Sequence, residues 1–189
     1  MLIVSQNLTN YNFDLPDDVI YRINLAWISD LEYLKKILDT HKNHKIFLDL
    51  PKNRTKPPNN KYSLDELQPI LNTYSNIKYF ALSNVDSGED LTKIMDYLPS
   101  TIVIVPKIES PLGIKNIDEI TQLLGKEKVV MLDHEDLYSS MLKSKDVPQN
   151  FQVYIKSLSD FCESNKIILL RTIGVIFSDG EKRISEYVN

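Results

Sequence analysis

Charged side chains stand at the ends of two neighbouring predicted strands, where a parallel sheet would gather them at one edge. Lys107 and Glu109 are two residues apart, so in an extended strand both side chains point to the same side. Asp136 follows the next predicted strand. The carboxylates of Glu109 and Asp136 are oxygen ligands of the kind that Mg²⁺ or Mn²⁺ prefers. The spacing therefore predicts a divalent-metal site made by Glu109 and Asp136, with the ammonium of Lys107 beside it.

The same edge would collect polar residues from other strands. They are Arg22 and Asn24 from the second strand, Asp49 from the third, Asn84 from the fourth and Thr172 after the seventh. Arg22 and Asp49 stand on neighbouring strands. Both a structural ion pair and a ligand-binding role explain these two residues.

The strands themselves are short β-branched runs with helical patterns between most of them. Several are continuously apolar, which is typical of parallel strands covered on both faces. The eight predicted strands are residues 2–5, 19–25, 45–50, 78–84, 101–107, 128–132, 166–170 and 174–178. Ser29 and Ser63, each followed three residues later by a glutamate, predict helix starts, and residues 147–164 predict a further helix.

This alternation predicts a parallel sheet, and right-handed crossovers leave a doubly wound sheet or a closed barrel. Eight strands favour a trimmed (β/α)₈ TIM barrel that forms a single domain over residues 1–189. Residues 51–62 are rich in proline and asparagine and predict a loop too short to be a second domain.

Composition excludes several classes of function. The chain has 189 residues and a net charge of −4, and it shows no basic stripe, so we expect no nucleic-acid partner. Its apolar runs are too short to span a bilayer, and its first residues do not resemble a signal peptide, so we expect no membrane partner and a cytoplasmic location. Its five glycines form neither a Walker loop nor a GxGxxG turn.

Several segments resemble one enzyme family. Residues 105–120, VPKIESPLGIKNIDEI, resemble the pyruvate kinase segment that carries the catalytic lysine and the metal-binding glutamate. YRIN at 21–24 and LDLPKNRT at 48–55 resemble earlier strands of that barrel. LDHEDL at 132–137 resembles the metal segment of the citrate lyase β-like enzymes and class II pyruvate aldolases, which belong to the same phosphoenolpyruvate/pyruvate superfamily.

The resemblance implies a pyruvate kinase-like barrel whose lid domain is replaced by the loop 51–62 and whose C-terminal domain is missing. It implies that Glu109 and Asp136 hold Mg²⁺. Lys107 would stabilise charge at the reacting oxygen, and Thr172 would lie near the methylene carbon of the substrate.

The resemblance also implies binding roles for the remaining residues. Arg22 would contact phosphate or carboxylate, and Arg54 would join it in binding substrate. Asn24 and Asp49 would contribute to a site for a monovalent cation, K⁺ in pyruvate kinases.

The expected function is Mg²⁺-dependent stabilisation of the enolate of pyruvate or another small 2-oxo acid, as in a C–C lyase, an aldolase or a decarboxylase. This chemistry needs only the metal and Lys107. One alternative is a phosphotransferase acting on phosphoenolpyruvate and ADP, with a lid from another chain. Another is a catalytically silent barrel with a binding role. Incomplete helical cover would expose apolar surface, so we expect a homo-oligomer or a partner subunit.

Overall fold

The computed structural model describes residues 3–5, 15–16, 18–52 and 58–171. Strands in this part of the chain pair only in parallel, and their order in the sheet follows their order in the chain. They are β1 (Ile3–Ser5), β2 (Ile20–Asn24), β3 (Lys45–Leu50), β4 (Ile77–Leu82), β5 (Val103–Ile108), β6 (Val129–Leu132) and β7 (Ile168–Arg171).

Helices cover one face of this sheet. They are α1 (Leu31–Thr40), α2 (Leu64–Thr73), α3 (Gly88–Met95), α4 (Pro111–Lys115), α5 (Ile117–Gln122), α6 (His134–Lys143) and α7 (Asn150–Ser164). The apolar side of each amphipathic helix faces the strands, as with Leu34 and Leu38 of α1, which are buried in one cluster with Ile46 and Leu48 of β3. This cluster is the larger core of the protein.

The other face, which we call the inner face, carries a second and smaller apolar cluster. Its buried members include Ile20, Phe47, Tyr79, Val105 and Met131, which come from five successive strands, β2 to β6. In the described residues this cluster is built from strand side chains alone. Because side chains alternate between the two faces of a strand, residues two positions beyond these reach the carboxyl edge of the sheet on the same face.

The expectation of a closed (β/α)₈ TIM barrel is wrong. The sheet is an open half-barrel of seven parallel strands within the described residues, with β1 and β7 at its two edges. Barrels of this kind close with eight tilted strands, and β1 and β7 are only three and four residues long. Strand order from β1 to β7 without reversal also excludes a doubly wound sheet for this region.

Most local predictions are confirmed. Seven of the eight predicted strands are present with end shifts of a few residues, and the eighth, 174–178, lies outside the described residues. The described part of the loop 51–62 contains no helix or strand. Ser63 caps α2 as expected, with Glu66 accepting from its backbone N–H at 2.8 Å.

The start of α1 differs from the prediction by one residue. Asp30, and not Ser29, is the N-cap, and its Oδ1 accepts from the Tyr33 N–H at 2.7 Å. A carboxylate also interacts favourably with the positive end of the helix dipole, which a hydroxyl does less strongly. In the part of the chain that the structure describes, none of the helices has the length and apolar character needed to cross a bilayer.

A close contact at Gly113 makes the packing of α4 against the end of β4 testable. A Cβ at Gly113 would lie 2.6 Å from the Val85 carbonyl oxygen, whereas a Cβ at Gly125 would have no heavy atom within 4 Å. We expect Gly113→Ala to destabilise the fold by about 1–3 kcal/mol. Gly125→Ala, the matched control, should change it by less than about 0.5 kcal/mol. Urea unfolding measures both, and equal effects would contradict the packing described here.

Candidate functional site

Four charged side chains form a network at the carboxyl ends of three strands. Arg22 comes from β2, Asp49 from β3, Lys107 from β5, and Glu109 directly follows β5. Asp49, Lys107 and Glu109 are only 1%, 5% and 1% exposed. Charged residues are almost never buried so completely unless they are paired, so their partners decide what this site can do.

Lys107 is the centre of the network. Its Nζ lies 2.8 Å from Glu109 Oε1 and 3.6 Å from Asp49 Oδ2, and it donates to Ser83 Oγ at 3.0 Å. Arg22 donates to the same Asp49 Oδ2 through Nη2 and, at 3.2 Å, through Nε. The net charge of the two cations and the two carboxylates is zero when all four groups are ionised.

The partners keep Lys107 and Asp49 in their charged forms. Burial lowers the pKa of Lys107, but the carboxylates of Asp49 and Glu109 outweigh burial and raise it above its usual value. Burial likewise raises the pKa of Asp49, but Lys107 and Arg22 outweigh burial and hold it below its usual value. Lys107 is therefore an ammonium at neutral pH, able to stabilise negative charge and unable to accept a proton.

Glu109 is held from the neighbouring strand end. Its Oε2 accepts the backbone N–H of Asn84 at 2.7 Å, and the Asn84 side chain donates to the Lys52 carbonyl at 2.8 Å. Asn84 has φ of 54°, a left-handed conformation that asparagine tolerates better than most residues. The turn after β4 thus uses an unusual backbone angle to aim one N–H at Glu109.

The other oxygen of Glu109 is less well satisfied. Oε1 forms an ion pair with Lys107 Nζ at 2.8 Å, and no other donor in the described residues approaches it. Burial raises the pKa of Glu109 to about 7, although Lys107 opposes the shift. Lys107 is thus the one cation beside this oxygen in the described residues, and the rest of its capacity as an acceptor points towards the other carboxylates at this edge.

Two more carboxylates complete an acid cluster, which we define as Glu109, Asp133 and Asp136. One oxygen from each of the three lies within 4.8 Å of the others. Asp133 directly follows β6, and its Oδ1 caps α6 by accepting the N–H groups of Glu135 and Asp136 at 3.2 Å. The cap fixes the first turn of α6, which carries Asp136 towards Glu109.

The acid cluster fits a hard divalent cation. It offers carboxylate oxygens only. Glu109 is buried, Asp133 is half-buried and Asp136 is exposed, so the cluster reaches from the protein interior to solvent. Mg²⁺ and Mn²⁺ are bound in this way, through a few carboxylates with the remaining positions left to water or substrate. The two predicted metal ligands, Glu109 and Asp136, are thus brought together.

The structure gives protein partners to the other predicted residues that it describes, and for Arg22 and Asp49 it shows the predicted ion pair. Arg22 and Asp49 form an ion pair, and Asn24 Oδ1 accepts the Ala26 N–H at 3.0 Å. The K⁺ and substrate-binding roles of these residues stay predictions. Arg54 and Thr172 lie outside the described residues.

Sequence reasoning missed two residues near the cluster, Asp133 and Arg171. Asp133 directly follows β6, and this position at a strand end is the same signal that singled out Asp136. Arg171, the last residue of β7, donates to His134 Nε2 from Nε at 3.3 Å and lies 3.0 Å from it through Nη2. Burial and the charge of Arg171 lower the pKa of His134, so this imidazole is neutral at pH 7.

Comparisons with known proteins show the fold. The chain resembles 186 chains of known structure. One is RipC from Yersinia pestis, with a TM-score of 0.59, 13% sequence identity, and coverage of 85% of this chain and 72% of RipC. No family model matches the sequence. No curated protein matches it either.

The assignment to the pyruvate kinase barrel is wrong. The sheet is an open half-barrel in the described region, and neither a family model nor a curated relative supports that family. The resemblance rested on short segments at strand ends, such as Lys107 to Glu109. An open parallel sheet gathers such residues at its carboxyl edge as a barrel does, so the pattern does not identify the family.

The left-handed backbone at Asn84 predicts a specific response to substitution. Asn84→Ala should destabilise the protein by about 1–2 kcal/mol because an alanine side chain is strained at this φ. Asn84→Gly removes the strain together with the side-chain bond to Lys52, so its cost should be smaller, about 0.5–1 kcal/mol. Urea unfolding distinguishes the two, and a larger loss for glycine than for alanine would contradict the stated role of the backbone angle.

The pKa of Glu109 predicts how stability changes with pH in metal-free buffer. The pKa is about 7 in the folded chain against 4.5 for the free side chain. The folded state therefore binds this proton more tightly, so the stabilisation is full below about pH 4.5 and is lost as the pH rises through about 7. Relative to Glu109→Gln, the wild type should lose on the order of 1–3 kcal/mol over this window.

Urea unfolding with EDTA, repeated between pH 4.5 and 8, measures this loss. The glutamine variant is the control because it keeps the shape of the side chain and cannot titrate. In the wild type the pKa of Lys107 lies above its usual value, so Lys107 stays charged between pH 4.5 and 8 and adds no slope to the wild-type curve. Parallel curves for the two proteins would refute the raised pKa.

Proposed function

We propose that this protein is a Mg²⁺- or Mn²⁺-dependent enzyme that promotes enolate formation from pyruvate or another small 2-oxo acid. One observation carries the proposal. The acid cluster brings three carboxylates within 4.8 Å of one another, and the buried ammonium of Lys107 lies 2.8 Å from one of them. Both features stand at the carboxyl edge of a parallel sheet, where ligands bind in open α/β folds.

Glu109, Asp133 and Asp136 would hold the cation. Bound there, a divalent cation would withdraw electron density from the carboxylate and ketone oxygens of a 2-oxo acid and so make the neighbouring carbon acidic. Glu109 is set by the Asn84 N–H, and Asp133 is set by its bonds to α6, so two of the three carboxylates are held in place by the protein itself. Such positioning lowers the cost of ordering the site when a ligand arrives.

Lys107 would stabilise the negative charge that develops on the substrate oxygen. Its raised pKa keeps it protonated, so it acts as a fixed positive charge and not as a base. Asp49, Glu109 and Ser83 hold the ammonium in a place from which water is largely excluded. A charge fixed in advance in a poorly solvated site stabilises a developing anion more strongly than the same charge in water.

Arg22 acts on this chemistry through Asp49. The Arg22–Asp49 pair holds one carboxylate beside Lys107 and balances its charge, so removing either partner would disturb the ammonium. The reaction class that follows is one in which a proton or a carbon substituent is lost next to the ketone. Carbon–carbon lyases, aldolases and decarboxylases all proceed in this way.

Proton NMR of pyruvate in D₂O tests the proposal. We expect the methyl protons to exchange with deuterium in the presence of the protein and Mg²⁺, and at the background rate when EDTA is added. Glu109→Gln and Asp136→Asn should each slow the enzyme-dependent exchange by about 10- to 100-fold or more, since loss of a ligand costs at least as much as loss of a residue that supports one.

Glu135→Gln is the matched control. Glu135 is an exposed acid next to Asp136 on the same helix and does not belong to the acid cluster, so this variant should exchange at the wild-type rate. Thermal unfolding of each variant confirms that it is folded. If Mg²⁺ and pyruvate neither raise the melting temperature nor support exchange, the proposed enzyme is ruled out and a non-catalytic binding role takes its place.

A further inference from the structure

Two of the three histidines of the chain meet at the amino edge of the sheet. His41 is the C-cap residue of α1, and His44 directly precedes β3. Their Nδ1 atoms lie 3.4 Å apart, and we call these two residues the histidine pair. Lys107 and the acid cluster lie at the carboxyl ends of β5 and β6, so the histidine pair is at the opposite edge of the sheet and takes no part in the proposed function.

The backbone of the histidine pair is fixed by several hydrogen bonds. The His41 N–H donates to the Ile37 carbonyl at 3.0 Å, and the His44 N–H donates to the His41 carbonyl at 2.9 Å. Asn76 donates from Nδ2 to the carbonyls of both histidines, at 3.3 Å each. Asn76 is itself held against β3, because its carbonyl accepts the Ile46 N–H at 2.8 Å. Both rings therefore stand on one well-anchored turn.

The rings themselves are also positioned. The His41 ring stacks on Tyr21 of β2, with 3.8 Å between the ring centroids and 16° between the ring planes. The rings of His41 and His44 are tilted by 59° with centroids 5.3 Å apart, so they meet through their edges at Nδ1 and not face to face. A site whose ligands are held before binding loses less conformational entropy when an ion arrives.

In the metal-free chain the ring nitrogens are poorly satisfied. The 3.4 Å between the two Nδ1 atoms is longer than the roughly 2.7–3.2 Å that is typical of hydrogen bonds from N–H groups. The other nitrogen of the His44 ring, Nε2, is buried and has no hydrogen-bond partner in the described residues, so no second bond compensates. The contact between the two rings therefore holds the pair together only weakly.

The distance fits two ligands of one tetrahedral zinc ion. With Zn–N bonds of about 2.0–2.1 Å, two nitrogen ligands at the tetrahedral angle are about 3.3–3.4 Å apart. Neighbouring nitrogen ligands of a square-planar ion such as Cu²⁺ would be only about 2.8–2.9 Å apart. Imidazole nitrogen also suits zinc, whereas Mg²⁺ and Mn²⁺ prefer the carboxylate oxygens of the acid cluster. The two sites therefore differ in the metal that each selects.

We infer that His41 and His44 bind one Zn²⁺ through their Nδ1 atoms, at a site separate from the acid cluster. The ion would join the end of α1 to the start of β3. In the described chain no third histidine, cysteine or carboxylate comes close enough to complete a group of three with the pair, so two tetrahedral positions are left to water.

The affinity of such a site is moderate. Half the ligands of a structural zinc site supply about half of its binding free energy, which corresponds to a Kd on the order of 1–100 μM. The exposed ammonium groups of Lys42 and Lys45, on the same turn, oppose a cation and favour the weaker end of this range.

Calorimetric titration with Zn²⁺ tests the site, with excess Mg²⁺ present to compete at the acid cluster. The wild type should bind one Zn²⁺ in the stated range. His41→Gln and His44→Gln should each raise the Kd by at least about 10-fold, since loss of a ligand costs at least as much as loss of a residue that supports one. His134→Gln removes the third histidine of the chain and is the matched control, which should bind Zn²⁺ as the wild type does.

NMR of the histidine rings in the wild type keeps the test independent of whether the variants fold. One equivalent of Zn²⁺ should shift the ring signals of two histidines together and leave those of the third in place, and Mg²⁺ should not reproduce the shift of the two. Equal movement of all three signals, or of one alone, would overturn the site.

The variants also locate the ion if it binds elsewhere. Zinc affinity that survives both His41→Gln and His44→Gln and is lost in Glu109→Gln would assign the ion to the acid cluster and overturn the inference. A wild-type Kd above about 1 mM would do the same. Neither result depends on whether pyruvate exchanges its protons, so the zinc site and the proposed function can fail separately.

Discussion

The site depends on one buried ammonium. Lys107 lies at the end of a strand whose other side chains are almost all apolar, and leaving such a charge without its partners typically costs about 3–5 kcal/mol. Asp49 comes from β3 and Lys107 from β5, so their attraction acts across the end of β4, which Ser83 directly follows. At the carboxyl edge, where the apolar inner face ends, ion pairs and hydrogen bonds between these side chains therefore take over from apolar packing. The proposed functional groups lie in this polar layer.

The sequence carried enough information to predict the local elements and part of the site. β-Branched apolar runs mark β3 and β5 because both faces of these strands are buried, one against the helices and the other, the inner face, against the side chains of neighbouring strands. Glu109 and Asp136 were predicted together because strand ends in a parallel sheet meet at one edge, and their carboxylates do lie within 4.8 Å. Whether the sheet closes into a barrel could not be predicted in this way. Closing depends on contact between the two edge strands, which no single run of residues encodes.

Other features of the site required three-dimensional information. Arg22 and Asp49 were consistent with an ion pair or a ligand site, and only the pairing of β2 with β3 shows that each neutralises the other. Asp133 looks like an ordinary helix cap in the sequence, and it is one. Its place in the acid cluster depends on the distance between the ends of β5 and β6, which no local pattern contains.

Asp133 has two roles, since it caps α6 and belongs to the acid cluster, and it therefore links the stability of a helix end to ion binding. Its Oδ1 holds the first amides of α6, while the same carboxylate belongs to the acid cluster. Any ion that holds this carboxylate in place also reduces fraying at the start of α6, so the amide protons of Glu135 and Asp136 would exchange with solvent more slowly in the loaded protein. Amide hydrogen exchange at the start of α6 would then show whether an ion is bound at the acid cluster, without any substrate.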